Sequence, residues 1–192
     1  SADPGGDAGQ PVDVVDDLSN GSLANLSEAR SLPERKFSFH RLDVSSPALV
    51  DLIAHRRPEV IFHLAAIVSG EAEQEFDKGY RINLQGTMNL IDSVRRAGNK
   101  PRLVFTSSIA VFGAPFPDKI GDEFFSTPLT SYGTQKAIGE LLISDYTRKG
   151  LLDGISIRLP TVCIRPGTPN KAASGFFSNI LREPLAGAEA VL

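Results

Sequence analysis

The chain has 192 residues, 41% of them hydrophobic and 22% charged, with 20 Lys and Arg against 23 Asp and Glu for a net charge of −3. This length suffices for one domain with a packed core, and the absence of a basic excess argues against a nucleic-acid surface. No apolar run reaches the roughly 18 residues of a membrane helix. The single cysteine, Cys163, excludes an internal disulfide framework and a Cys-rich zinc site, and His40, His55 and His63 lack ligand spacing, so no metal is expected.

Residues 1–10 are small, polar and Gly-rich and read as a flexible lead-in. An alternation of strand and helix signals follows. Val12 to Asp16 is a short β-branched strand ending in acid, 23–31 a brief helix, and Phe37 to Leu42 a strand. Pro47 to His55 reads as a helix, with Ser46 as N-cap and Pro47 at its first position. The almost wholly apolar Val60 to Ala66 reads as a strand buried on both faces. Residues 75–97 form the longest helical pattern, with Tyr80, Leu84, Met88, Ile91 and Val94 as its stripe. Leu103 to Thr106 is a second buried strand. Ser131 to Lys149 is a second long helix with Ile138, Leu141, Leu142 and Tyr146 inward. Ile155 to Leu159 is a last strand, and after Pro160 the pattern dissolves into Pro/Gly-rich sequence. Such alternation predicts a parallel sheet with helices on both faces. No internal repeat is present.

Tyr132-Gly133-Thr134-Gln135-Lys136 carries the sharpest chemical signal. Tyr and Lys at i and i+4 share one helix face. An ammonium beside a phenol favours the phenolate and lowers the tyrosine pKa, giving an acid/base group that works near neutrality. Upstream, Leu103-Val104-Phe105-Thr106-Ser107-Ser108 ends a parallel strand, where ligands bind in open α/β sheets. The Ser108 hydroxyl can hold a substrate oxygen there, although serines at strand ends also cap turns.

Four ordered segments resemble the extended short-chain dehydrogenase/reductase family of the NAD-dependent epimerase/dehydratase type. They are His63-Leu64-Ala65-Ala66, Asn83 to Leu90, Thr106 to Gly113 and Tyr132 to Lys136. The resemblance covers roughly residues 12–185. It implies an NAD-binding, Rossmann-type doubly wound parallel sheet and an enzyme with a Ser/Tyr/Lys centre. Tyr132 would be the acid/base. Lys136 would hold the nicotinamide ribose and depress the tyrosine pKa. Ser108 would orient substrate, and Asn83 would support the active-site helix and a water relay. Leu64, Ala65 and Ala66 would line the cofactor path, with His63 a buried strand residue and not a catalyst. Asp16 would accept hydrogen bonds from the adenosine ribose and disfavour a 2′-phosphate, so NAD is expected over NADP. Its neighbour Asp17 competes for that role, and both also suit a plain turn. Asn20 and Pro160 join the implied cofactor contacts, and Asp43-Val44 would cradle the adenine.

The family begins with a strand and a glycine-rich turn that holds pyrophosphate at a helix N-terminus. Gly5-Gly6-Asp7-Ala8-Gly9 follows no strand, so the first strand, glycine loop and first helix read as missing. The expected organisation is a partial Rossmann domain over 11–160 and the start of a truncated substrate-binding region over 161–192. Loss of the central strand would leave two unpaired inner edges, and activity of the isolated chain would be doubtful. Residues 157–170 and 173–185 resemble the D-erythronate dehydrogenase group, which oxidises a small sugar acid with NAD. Arg165 would then pair with a substrate carboxylate and Asn170 with hydroxyls. The stretch Val14 to Ser22 looks more like a UDP-galactose 4-epimerase, acting on a nucleotide sugar, although Pro160-Thr161-Val162 stands where epimerases carry Asn-Pro. A non-catalytic dinucleotide-binding module is the reading from another class. By resemblance a homodimer is implied through the helices at 75–97 and 131–149. The chain start has no secretory pattern, so the expected location is cytoplasmic.

Overall fold

The computed structural model describes residues 11–31, 37–162 and 174–190. The lead-in at 1–10, Cys163, Arg165 and Asn170 lie outside the described residues.

Strand β1 (Val12–Asp16) leads through a 3-10 turn (Leu23–Leu26) into the short helix α1 (Ser27–Ser31), and β2 (Phe37–Arg41) pairs with β1 in parallel. Helix α2 (Leu49–Arg56) precedes β3 (Val60–His63). Next come α3 (Ser69–Gln74), α4 (Phe76–Gly79), a π turn (Tyr80–Gln85) and α5 (Gly86–Ala97). Strand β4 (Arg102–Ser108) runs into a 3-10 turn (Ile109–Val111), and α6 (Ser131–Arg148), β5 (Asp153–Leu159) and α7 (Phe176–Leu185) complete the order.

All strand pairs are parallel, in two sheets: β1-β2, and β3-β4-β5 with β4 in the middle. In the Rossmann order 3-2-1-4-5-6 these are positions 2 and 3, then 4, 5 and 6. No described strand holds the central position, and β1 and β3 each keep one unpaired edge. Packing joins the two halves. Leu49 and Ile53 of α2 meet Leu90, Ile91 and Val94 of α5, and the same core continues through Leu103 and Phe105 of β4 to Ile143 of α6 and Leu152.

Several local expectations change. Helix α2 begins at Leu49, two residues late. Ser46 and Pro47 form a turn before it, in which the Ser46 hydroxyl accepts from the Ala48 N–H and the Ser46 carbonyl accepts from Leu49 N–H. Strand β3 stops at His63, and it is not buried on both faces: Phe62 is 66% exposed and Val60 47%. Phe62, Val104 and Ile155 share a row across the sheet, on the face opposite α5 and α6. The long helix at 75–97 is broken by the π turn, whose extra residue shifts the phase of the helix. Its buried face is therefore Asn83, Thr87, Leu90, Ile91 and Val94, while Met88 points outward. Helix α6 likewise turns small and polar residues inward (Gly133, Gln135, Lys136, Ala137, Gly139), and Leu141 lies 71% exposed. Gly139 explains this: a Cβ there would sit 2.8 Å from the Phe105 ring, so the helix lies close on β4. Beyond Pro160, α7 is a real helix where only irregular sequence was expected; Pro184 sits inside it.

No helix among the described residues is long and apolar enough to cross a membrane, and none of them form a cluster of three or more metal-ligating side chains.

Candidate active site

Helix α6 starts where its sequence says it should. Thr130 is the N-cap, and its hydroxyl accepts from the Gly133 N–H at 3.0 Å. Gly133 lets the helix start press on the turn after β4, because a Cβ there would lie 2.1 Å from the Ala110 carbonyl oxygen. This close approach brings the Tyr132 phenol beside Ser108, the last residue of β4. The Ser108 Oγ also accepts from Ala110 N–H at 3.1 Å, so the serine both caps the turn and meets the phenol.

Lys136 is 3% exposed. Its ammonium donates to the Thr106 carbonyl at 2.7 Å and lies 4.8 Å from the Phe105 ring centroid and 5.6 Å from that of Tyr132. Burial lowers its pKa to about 8. The phenol behaves otherwise than the Tyr–Lys spacing predicts. Burial pushes the Tyr132 pKa up and the neighbouring Ser108 hydroxyl pulls it back only in part. Lys136 spends its hydrogen bond on backbone and not on the phenol oxygen.

Asn83 sits at the centre of a clamp. Its side-chain oxygen accepts from Ile67 N–H at 2.8 Å, and its amide donates to the Ile67 carbonyl at 3.3 Å and to Gln135 Oε1 at 2.8 Å. Through Gln135 it ties the Ile67 segment to helix α6. Its amide hydrogens are committed to protein partners, so the implied water relay gets no donor from this side chain. His63, buried, donates through Nε2 to Thr87 Oγ1 at 2.8 Å, and Thr87 donates in turn to the Asn83 carbonyl at 2.7 Å. Burial and then the nearby Lys136 charge lower the His63 pKa to about 3, so its ring is neutral and structural.

A second group gathers at the carboxyl ends of β1 and β2. A cleft of about 160 Å³ is lined by Asp16, Asn20, Asp43, Val44, Leu64, Ala65 and Ala66 among others. Seven of the expected cofactor residues, distant in sequence, thus line one cleft. Asp17 lines it too. Asp16 Oδ1 accepts from Leu18 N–H at 2.7 Å, and the loop folds over it so that a Cβ at Gly21 would lie 3.4 Å away. Asp43 is more constrained than expected. Its carboxylate accepts from Ser45 N–H and Oγ and from Arg81 Nη1 at 2.9 Å. Burial pushes the Asp43 pKa up, but the hydrogen bonds from Ser45 and Arg81 outweigh it and hold the group below its ordinary value. Asn89 pins the same loop by donating to the Val44 and Ser46 carbonyls. Tyr132, Lys136 and Pro160 are not part of this cleft; Pro160 is exposed just past β5.

Sequence reasoning missed Glu140, Arg158 and Gln135. Glu140 stands four residues past Lys136 on the same helix face, a spacing that could have flagged it. It accepts from Arg158 Nη2 at 2.8 Å and from the Ser107 hydroxyl. Gln135 is fully buried and leaves its Nε2 without a partner.

Residues 6–192 match the NAD dependent epimerase/dehydratase family. The chain is 51% identical over 152 residues to a D-erythronate dehydrogenase from Haemophilus influenzae, covering 79% of this chain and 48% of that protein. It is 44% identical over 182 residues to a D-erythronate dehydrogenase from Cupriavidus necator, covering 95% of this chain and 55% of that protein. A crystal structure described as a nucleoside-diphosphate-sugar epimerase from Agrobacterium tumefaciens is 60% identical, with a TM-score of 0.80 over 95% of this chain and 52% of the other. A UDP-glucose 4-epimerase from Brucella ovis, in complex with NAD, is 30% identical with a TM-score of 0.66, covering 76% of this chain and 43% of the other. The chain spans about half the length of the curated relatives it matches. Motif order, parallel topology and these similarities converge, and the chain belongs to the NAD-dependent epimerase/dehydratase family.

Proposed function

We propose that the protein oxidises a hydroxyl of a small sugar acid of the D-erythronate type, with NAD as oxidant and Ser108, Tyr132 and Lys136 as its centre. The pairing of the Tyr132 phenol with Ser108 at the mouth of β4, with Lys136 buried beside it, carries this reading. Two relatives that bear the name D-erythronate dehydrogenase support the substrate class. The lining of the cleft supports contact with the adenosine end of a dinucleotide: Ala65 and Ala66 are small, and Asp16 offers a carboxylate to ribose hydroxyls.

When bound, NAD supplies the hydride acceptor. Ser108 Oγ holds the substrate hydroxyl, and Tyr132 Oη takes its proton. The raised phenol pKa means that this proton transfer calls for a further positive charge near the phenol. Lys136 is placed to supply it once its ammonium turns from the Thr106 carbonyl. Arg165 would pair with the substrate carboxylate and Asn170 with its hydroxyls. A cytoplasmic homodimer belongs to the same reading, and sizing the intact protein in solution tests the assembly.

A second reading is a nucleotide-sugar 4-epimerase, favoured by the epimerase description of the 60% identical Agrobacterium structure. Both chemistries begin with hydride abstraction, so the centre does not separate them. The test is NADH formation by the intact protein with short aldonic acids, D-erythronate included, beside UDP-galactose. Net NADH with an aldonic acid supports the dehydrogenase, and its loss in Arg165→Ala supports the carboxylate contact. Epimerised nucleotide sugar without net NADH moves the assignment to the second reading. NAD binding with neither product leaves a dinucleotide-binding module.

A further inference from the structure

Glu140 and Arg158 form an ion pair at the substrate end of the sheet, with side chains 12% and 31% exposed. Arg158 presents its fork, Nε at 3.1 and 3.2 Å and Nη2 at 2.8 Å, to both carboxylate oxygens. One further hydrogen bond joins each partner to a neighbour. The Ser107 hydroxyl donates to Glu140 Oε1, and Arg158 Nη2 donates to Ser126 Oγ at 3.2 Å. The guanidinium also lies 4.9 Å from the Phe112 ring centroid, and Phe112 packs on Phe124 at 5.7 Å. One charge pair therefore touches the catalytic helix α6 one turn past Lys136, the strand residue adjoining Ser108, strand β5, and both ends of the loop at 112–127.

Deeper in the same α6–sheet contact, apolar packing does the joining: Gly139 lies on Phe105, and a Cβ at Gly154 would lie 2.4 Å from Ile143. A partly buried ion pair loses hydration that such packing would not, so binding energy alone does not account for it. What a bidentate pair adds is direction, since two parallel hydrogen bonds fix angle as well as distance. We propose that Glu140 and Arg158 are positioning residues that hold Ser108 opposite Tyr132 and set the 112–127 loop over the substrate side of the site. This rests on the catalytic reading of Ser108 and Tyr132 given above.

The test uses the intact protein with Glu140→Gln, Glu140→Asp and Ser107→Ala, in backgrounds with and without Tyr132→Phe. The Tyr132 titration is read from phenolate absorbance as the difference between the two backgrounds, and it needs no substrate. Kinetics give kcat and the KM for NAD. Ser108 draws the phenol pKa down, so loss of alignment raises it. The expected result for Glu140→Gln is an upward-shifted Tyr132 titration and a kcat lowered about 10-fold or more, with the KM for NAD unchanged. Glu140→Asp recovers part of both. If Glu140→Gln does not fold, Ser107→Ala keeps the ion pair and is expected to show a smaller shift in the same direction. An unchanged Tyr132 titration in every folded variant overturns the proposal, even where melting temperature falls. Should the unmutated protein convert neither an aldonic acid nor a nucleotide sugar, the catalytic reading fails, while the titration still decides the positioning of Tyr132.

Discussion

Replacing Gly133 by alanine is the sharpest perturbation of the site. The added Cβ would lie 2.1 Å from the Ala110 carbonyl oxygen, 3.0 Å from its carbon and 3.1 Å from Pro128 Cβ. Ordinary contact begins near 3.4 Å, so the helix start and the turn after β4 must separate by about 1.3 Å. Overpacking of this kind costs about 1–3 kcal/mol. The better helix propensity of alanine returns at most about 1 kcal/mol, and moving residue 133 also strains its bond to the Thr130 cap. The functional effect is larger than the loss of stability. Ala110 is held to Ser108 and Gly133 adjoins Tyr132, so the displacement opens the Ser108–Tyr132 pair directly. A misplacement near 1 Å costs on the order of 100-fold in rate. Gly139→Ala on the same helix is the control, because its Cβ meets the Phe105 ring and not the turn that carries Ser108. Urea unfolding and steady-state kinetics on both variants give the comparison. A folded Gly133→Ala protein with unaltered kcat would refute the close-approach argument.

Other expectations follow from the buried charges and the cleft. Lys136 is held at about 8, well below an unfolded lysine near 10.5. Between those values the unfolded chain binds the extra proton, so stability rises with pH across that window. The stability difference between Lys136→Met and the parent, measured by denaturant titration, should therefore shrink as pH climbs from about 8 towards 10.5, and a constant difference would argue that the ammonium is solvated. His63 works in the acid range: with a folded value of about 3 against 6.5 unfolded, its contribution is complete above 6.5 and lost as pH falls towards 3. Its ring proton resonances should stay still between about pH 5 and 8, and a midpoint in that range would place it in contact with water. Asp16→Ala should raise the KM for NAD about 10-fold with kcat held, as loss of a charged hydrogen bond predicts; an unchanged KM would pass the role to Asp17.

Much of this was legible because it depends on local pattern. Val12 to Asp16 and Ser131 to Arg148 show their own periodicity and caps, and Tyr132 and Lys136 are bound together by helix geometry alone. The cleft at Asp16, Asp43 and Ala66 was legible only through the resemblance, because these residues meet by topology. Phase was the commonest failure. The π turn at Tyr80–Gln85 adds a residue that no apolar pattern announces, so Met88 was assigned to the core and Asn83 and Thr87 fill the buried face instead. Leu141 misled similarly, because closeness to β4 favours glycine and alanine over larger side chains. The pKa of Tyr132 could not be read from spacing, since it turns on where the Lys136 ammonium points. Helix α7 was hidden by the Pro and Gly around it, although Phe176, Phe177, Ile180 and Leu181 hold a helical spacing.

The split between the two sheets has a consequence for how the molecule opens. No backbone hydrogen bond ladder joins β1 to β3, so α2 lying on α5 is the main apolar seam between the halves. Amide groups in β4, flanked by strands on both sides, should exchange with deuterium only on global opening. Those of β1 and β2, a two-stranded pair, should exchange through a cheaper excursion in which the α2 seam parts first. The cleft between Asp16 and Ala66 takes one wall from each half, so its width would track that excursion. Its walls would then breathe together while the Ser108–Tyr132 pair, seated wholly on the three-stranded half, stays in place.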